Sequence, residues 1–185
     1  MIVGVRHARV AASMLGTCYG SSDVATEISH LQAADAAIAS LRARGDGSLQ
    51  FDCVWSSDLR RCRGLADALT PRLSGPVELR TDVRLRELDH GSFEGRAWEE
   101  IHESEPAALE RWGARWRTEG PPRGESAEML ERRVSDWLEN LDMTRRHLLV
   151  GHAGVMRAVL VIQQELDWAV AMAAEVPHLE ALELT

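Results

Sequence analysis

Lysine is absent: all 21 basic residues are arginine. That excludes a lysine Schiff base, a lysine general base and the lysine of a phosphate-binding P-loop. Cysteine is scarce. Cys18, Cys53 and Cys62 are odd in number and lack C-x-x-C spacing, so neither a disulfide framework nor a zinc knuckle is expected, and a cytoplasmic setting is the default. Positive charge is outweighed, with a net charge of −8, which argues against nucleic acid as a partner because that role needs a basic face. No apolar run approaches the roughly 18 residues of a membrane span. The N-terminus enters a strand-like segment without a basic region and long apolar core, so neither a secretory signal nor a membrane partner is expected.

At 185 residues the chain fits one domain, 1–185, within the usual range of about 100–200 residues per domain. That length suffices to bury roughly 70% of the unfolded surface without a metal or disulfide staple. Residues 1–7 read as a strand and 8–23 as a Gly/Ser/Thr-rich loop. A helix starting at Asp23 or Thr26 runs to Arg44, with Ile28, Leu31, Ile38 and Leu41 at helical spacing. A second strand covers 51–55, after which Ser56-Ser57-Asp58 is expected to cap a helix ending at Leu69. Val77-Glu78-Leu79 forms a third strand. Helices at 97–104 and 106–117 follow, with Trp112 and Trp116 expected to pack against the body. The acidic residues Glu99, Glu100, Glu103 and Glu105 read as a solvated helix surface. Another helix spans 125–141, a strand 147–151 and a helix 154–165, and the period-two pattern of 179–184 marks an edge strand. The alternation of strands and helices predicts an α/β layered domain.

Two apolar runs each release a histidine at the C-terminal end: Arg6-His7 after Ile2–Val5, and His152 after Leu148–Gly151. In open α/β sheets ligands bind beyond the carboxyl ends of the strands. Arg6 adds a fixed positive charge, so an anion is expected, with phosphate the first candidate. Arg60-Arg61 past the second strand and Glu87 in an irregular loop supply further polar groups, although their convergence is not visible in one dimension. A metallohydrolase using His7, His152 and Cys18 is disfavoured, since Arg6 would repel a divalent cation.

The order and spacing of five segments resemble the histidine phosphatase superfamily, the phosphoglycerate-mutase-like fold. Arg6-His7 resembles the R-H-G opening, Ser56–Cys62 resembles S-S-x-L-x-R-A, and Glu87–Gly95 resembles E-x-x-x-G-x-x-E-G. Gly124-Glu125-Ser126 and Val150–Arg157 complete the series, resembling G-E-S and V-x-H-x-G-x-x-R. The resemblance implies a three-layer αβα sandwich whose mostly parallel central sheet carries an antiparallel edge strand, with a short lid-like helical insertion near 97–124. It implies His7 as nucleophile, Glu87 as proton donor and acceptor, and Arg6, Arg61 and His152 as ligands of the phosphoryl oxygens, with His152 also catalytic. Arg60 is expected to face solvent, Arg157 to form a structural ion pair, and His30, His90, His102, His147 and His178 to be surface or packing residues. No cofactor or metal is implied; the partner is a small phosphorylated substrate, and a homodimer is compatible with the chain.

Three positions depart from the pattern: Ala8, Arg9 and Leu65. Where the family has glycine, Ala8 would cost about 1–2 kcal/mol if a positive φ were needed, or would crowd the phosphate and leave a binding module rather than an enzyme. The loop Gly16–Asp23 is similar to the C-Y-G-x-x-D loop of the cobalamin-pathway α-ribazole-5′-phosphate phosphatases. Thr17, Cys18, Tyr19 and Gly20 are therefore candidate substrate contacts, and α-ribazole 5′-phosphate is the expected substrate. A broad phosphatase and a mutase remain the alternatives within the superfamily.

Overall fold

A computed structural model describes all 185 residues. Five strands form one sheet: β1 (Ile2–Arg6), β2 (Cys53–Ser56), β3 (Glu78–Thr81), β4 (His147–Gly151) and β5 (Ala181–Glu183), in the spatial order β3-β2-β4-β1-β5. The first four run parallel, while β5 pairs antiparallel with β1 at the edge. Helices α1 (His30–Ala43) and α2 (Arg60–Leu69) cover one face; α5 (Ala127–Leu138) and α6 (Ala153–Gln163) cover the other. Helices α3 (Trp98–Ser104), α4 (Pro106–Arg115) and α7 (Trp168–Ala173) complete the chain. This is the expected phosphoglycerate-mutase-like α/β fold.

Strands buried on both faces must alternate their apolar side chains between two cores. Val3, Val5, Leu148 and Val150 join the core under α1 and α2, whereas Ile2 and Leu149 join the core under α5 and α6. The register Arg6↔Gly151 sets the ends of β1 and β4 side by side. From these adjacent ends the chain departs toward opposite faces, into α1 after β1 and into α6 after β4. That divergence opens the crevice in which α/β sheets bind ligands.

Several boundaries differ from the sequence reading, each for a local reason. Helix α1 starts at His30 because Ser29 and Gln32 form a reciprocal capping box. The residues upstream are engaged elsewhere, Thr26 in a bridge to Val10 and Asp23 with Arg60. Helix α2 receives no cap from Ser56, Ser57 or Asp58. Asp23 Oδ1 accepts the Arg60 N–H at 2.9 Å instead, so the cap comes from a distant loop. Helix α5 starts at Ala127, capped by Ser126. The unforeseen helix α7 is six residues long and buries only Trp168 and Ala171, too little for a helical period to show.

Candidate active site

His7 follows β1 and is almost fully buried, yet it lines a cleft of about 550 Å³ with Arg6, Arg61 and Glu87. Its Nδ1 lies 2.7 Å from the Ala8 carbonyl oxygen, which can only accept a hydrogen bond. Nδ1 therefore carries the proton, and Nε2 keeps a free lone pair. Burial, and then the charge of Arg61, hold the His7 pKa well below the usual histidine value, so the ring is neutral. From behind, His178 Nδ1 donates to the His7 carbonyl at 2.6 Å, and its ring stands edge-on to the His7 ring at 5.3 Å. His178 is thus a brace for His7 rather than a mere packing residue.

His152 follows β4, and its ring centroid lies 5.2 Å from that of His7. It is fully buried and does not line the cleft. Its Nε2 sits 2.9 Å from Ser57 Oγ and 3.3 Å from Cys62 Sγ. Burial first, then the neighbouring His7 and Arg61, push its pKa well below the ordinary value. The two imidazoles meet edge to face, 64° apart, where the ends of β1 and β4 lie side by side.

Arg61 is 1% exposed while the neighbouring Arg60 side chain is 75% exposed, so the inward and outward assignments hold. Arg61 donates to the carbonyls of Ser22 and Gly20 at 2.6 and 2.5 Å, and Arg6 donates to the Val176 carbonyl at 2.9 Å. The Nε atoms of both arginines are buried without a partner. Carbonyl dipoles orient these guanidinium groups but do not neutralise them. Uncompensated buried cations are costly, so the site is built to receive an anion.

Glu87 lies in the same cleft, with Oε2 accepting the Gly154 N–H at 3.2 Å and Oε1 accepting its neighbour's, Leu88 N–H, at 3.1 Å. A Cβ at Gly154 would fall 2.3 Å from Glu87 Oε1, so only glycine lets the carboxylate reach the N-terminus of α6. Arg133 supports the loop: it pairs with Glu125 through contacts of 2.8 and 2.9 Å and donates to the carbonyls of Arg84 and Glu87.

Glu94 performs the same service for Arg61. It accepts from the backbone N–H groups of Gly20, Ser21 and Ser22, the turn whose first and last carbonyls grip Arg61. Burial alone would raise the Glu94 pKa; the His90 imidazole close by and hydrogen bonds from Ser22 and the His90 and Gly20 amides outweigh it and hold the carboxyl well below the usual range. Neither Glu94 nor Arg133 is legible as a support in one dimension, because both act on loops remote in sequence.

The remaining expectations divide. Thr17 and Tyr19 line the cleft, but Cys18 is fully buried against Phe93 and Ile101, and Gly20 serves Arg61 through its carbonyl. Cys18 and Gly20 are therefore scaffold rather than substrate contacts. A Cβ at Gly20 would lie 1.9 Å from the Leu88 carbonyl oxygen, which explains the glycine. Ala8 packs in the core under α1 and α2, and its φ is not positive, so its methyl neither strains the backbone nor narrows the cleft. Arg157 forms no structural ion pair; its Nε and Nη2 donate to the carbonyls of Ala171 and Ala174, and it lines the cleft. Trp112 and Trp116 also line the cleft rather than only packing against the body.

The family model of the histidine phosphatase superfamily, branch 1, matches residues 2–181. The chain belongs to that superfamily, and it is a phosphatase. A relative described as "Putative phosphoserine phosphatase 2", from Hydrogenobacter thermophilus, is 28% identical over 161 residues, 85% of this chain and 75% of the relative. Among solved structures, the α-ribazole phosphatase of Shigella flexneri superposes with a TM-score of 0.82 at 19% identity, covering 97% of this chain and 87% of that one. A mycobacterial glucosyl-3-phosphoglycerate phosphatase reaches 0.73 at 26% identity, covering 94% and 84%. No helix is long and apolar enough to cross a membrane.

Proposed function

We propose that the protein hydrolyses a small phosphate monoester through a phosphohistidine formed on His7, without a metal ion. One observation carries this reading: a neutral imidazole with a free Nε2 shares a cleft with two cations, neither in a direct ion pair with a carboxylate. His7 Nε2 attacks phosphorus in line, forming an N–P bond as the ester P–O bond breaks. Arg6 and Arg61 hold the equatorial oxygens, and positioning and electrostatics of this kind dominate phosphoryl transfer. Glu87 delivers a proton to the departing alkoxide and then takes one from the water that cleaves the N–P bond. His178 braces His7 through its backbone carbonyl, His152 beside the His7 ring joins the arginines at the phosphoryl oxygens, and the helices of 97–124 form a lid over the cleft.

For the ester, α-ribazole 5′-phosphate is the reading we favour, which would place the enzyme in the cytoplasm and in cobalamin assembly. Its support is the Gly16–Asp23 loop, which brings Thr17 and Tyr19 into the cleft. The test is phosphate release from α-ribazole 5′-phosphate, serine phosphate and glycerol phosphate by the intact protein and by His7→Ala, with and without chelator. Release that persists in chelator and vanishes in His7→Ala is expected, with the ribazole ester turned over fastest. Good turnover of the other esters alone would reject the substrate and keep the reaction. Transfer of phosphate between glycerate positions, without release, would identify a mutase instead.

A further inference from the structure

The chain has two phenylalanines, one tyrosine and six tryptophans. The tyrosine and four of the tryptophans line the single cleft that holds His7. Trp98 on α3 and Trp112 on α4 lie nearly parallel, 4° apart with centroids separated by 6.2 Å, and Trp116 meets Trp168 edge-on at 5.7 Å. Leu88, Leu130 and Met172 fill the wall between them. Beyond Arg6, Arg61 and Glu87 the charged lining residue is Arg157, whose Nε and Nη2 are already engaged by carbonyls.

Packing of the lid does not by itself explain this concentration. Trp98 remains 37% exposed, a large apolar surface left at the cleft when a smaller residue would close the same turn. Trp168, only 3% exposed and with its indole N–H satisfied by Glu131 at 2.7 Å, backs the wall from the core, so the rings open to a ligand are those of the lid. Aromatic walls with few polar groups recognise flat apolar ligands.

Resting on the phosphatase reading but not on any one ester, we infer that the indoles of Trp98 and Trp112 form a leaving-group subsite for a flat, uncharged aromatic alcohol. The site selects its phosphate ester by ring stacking, and it rejects a leaving group that carries a carboxylate and an ammonium, as serine does. Those charges would lose water against the indole faces, and Arg157, two of whose donors are already held by carbonyls, is the one cation outside the phosphate cradle to meet them.

The test compares kcat/KM for 2-naphthylmethyl phosphate, ethyl phosphate and serine phosphate. All three leave as primary alkoxides, and the ammonium of serine makes its alkoxide the least basic, so leaving-group basicity alone would favour serine phosphate, opposite to the order the subsite imposes. The wild-type enzyme should rank them naphthylmethyl, ethyl, serine. Trp98→Ala or Trp112→Ala should lower the naphthylmethyl-to-ethyl ratio about tenfold, the order of one aromatic stack, and Trp→Phe at the same position should restore most of it. An unchanged ratio in the alanine variants, or serine phosphate matching the aromatic ester, would overturn the subsite. Should an alanine variant fail to fold, competition by 2-naphthylmethylphosphonate and ethylphosphonate against the wild-type enzyme reads the same preference. Equal inhibition by the two phosphonates would refute it. If no ester is hydrolysed, the phosphatase reading fails separately, and calorimetry with the two phosphonates still decides the subsite.

Discussion

Arg61 concentrates the electrostatic argument in one side chain. It is buried, is gripped by two carbonyls and leaves Nε without a partner beside a neutral His7. Removing a preorganised donor of this type costs about 3–4 kcal/mol of transition-state stabilisation, or roughly 10²–10³ in rate. Arg61→Ala should therefore lower kcat/KM by about that factor at unchanged fold. Arg61→Lys should recover little of it, because one ammonium cannot span the Ser22 and Gly20 carbonyls and still present a planar fork to phosphate. A lysine variant with near wild-type kcat/KM would show that charge alone matters. At this scale the sequence was most informative where a residue sits at a strand end. His7, Arg6, Arg61 and Glu87 are placed together as expected, whereas His178 is visible only once β5 returns the chain to β1.

Among the elements, the loop 20–22 depends on one carboxylate from a segment more than seventy residues away. Both Glu94 oxygens accept from backbone N–H groups, so Glu94→Gln would turn an amide donor toward donors. Leaving a buried N–H unsatisfied costs about 1–3 kcal/mol. Glu94→Gln should lower the unfolding free energy by that amount and speed hydrogen exchange at Ser21 and Ser22. Because Arg61 is held by this loop, KM for phosphate esters should rise as well. Unchanged exchange at those amides would contradict the coupling. Capping shows why some elements were legible and others not. Ser29 and Gln32 belong to the helix they cap, so the start of α1 could have been read locally. Ser57 is taken by His152 and Asp58 by Arg86, so the same residue types after β2 point away from the helix end they precede.

At the scale of the molecule, the adjacent ends of β1 and β4 force two imidazoles into a dry interior. His7, His147, His152 and His178 all have pKa values below the usual histidine value, with burial the leading cause in each. The unfolded chain protonates these groups near pH 6.5 while the folded chain resists. Stability therefore rises with pH wherever the unfolded state binds more protons. Denaturation midpoints should be flat above about pH 7 and fall as the pH drops below about 6.5, with each group contributing up to about 1.4 kcal/mol per pH unit. His152→Asn should flatten that acid slope even if it lowers stability overall; an unaltered slope would show that the buried ring does not set it. The alternation of buried runs with helices was enough to anticipate an α/β layered domain, and the period-two pattern of 179–184 an edge strand; the three layers and the antiparallel pairing followed from the family resemblance. The insertion of β4 between β1 and β2 was not legible, because strand order depends on which runs pair and one chain shows only their succession.

The most direct test is to quench the enzyme during turnover with a radiolabelled phosphate ester and map the label. The account predicts acid-labile, base-stable phosphate on the peptide containing His7, formed no slower than turnover and absent in His7→Ala. Turnover with no phosphorylated protein, or label on any other residue, would contradict it.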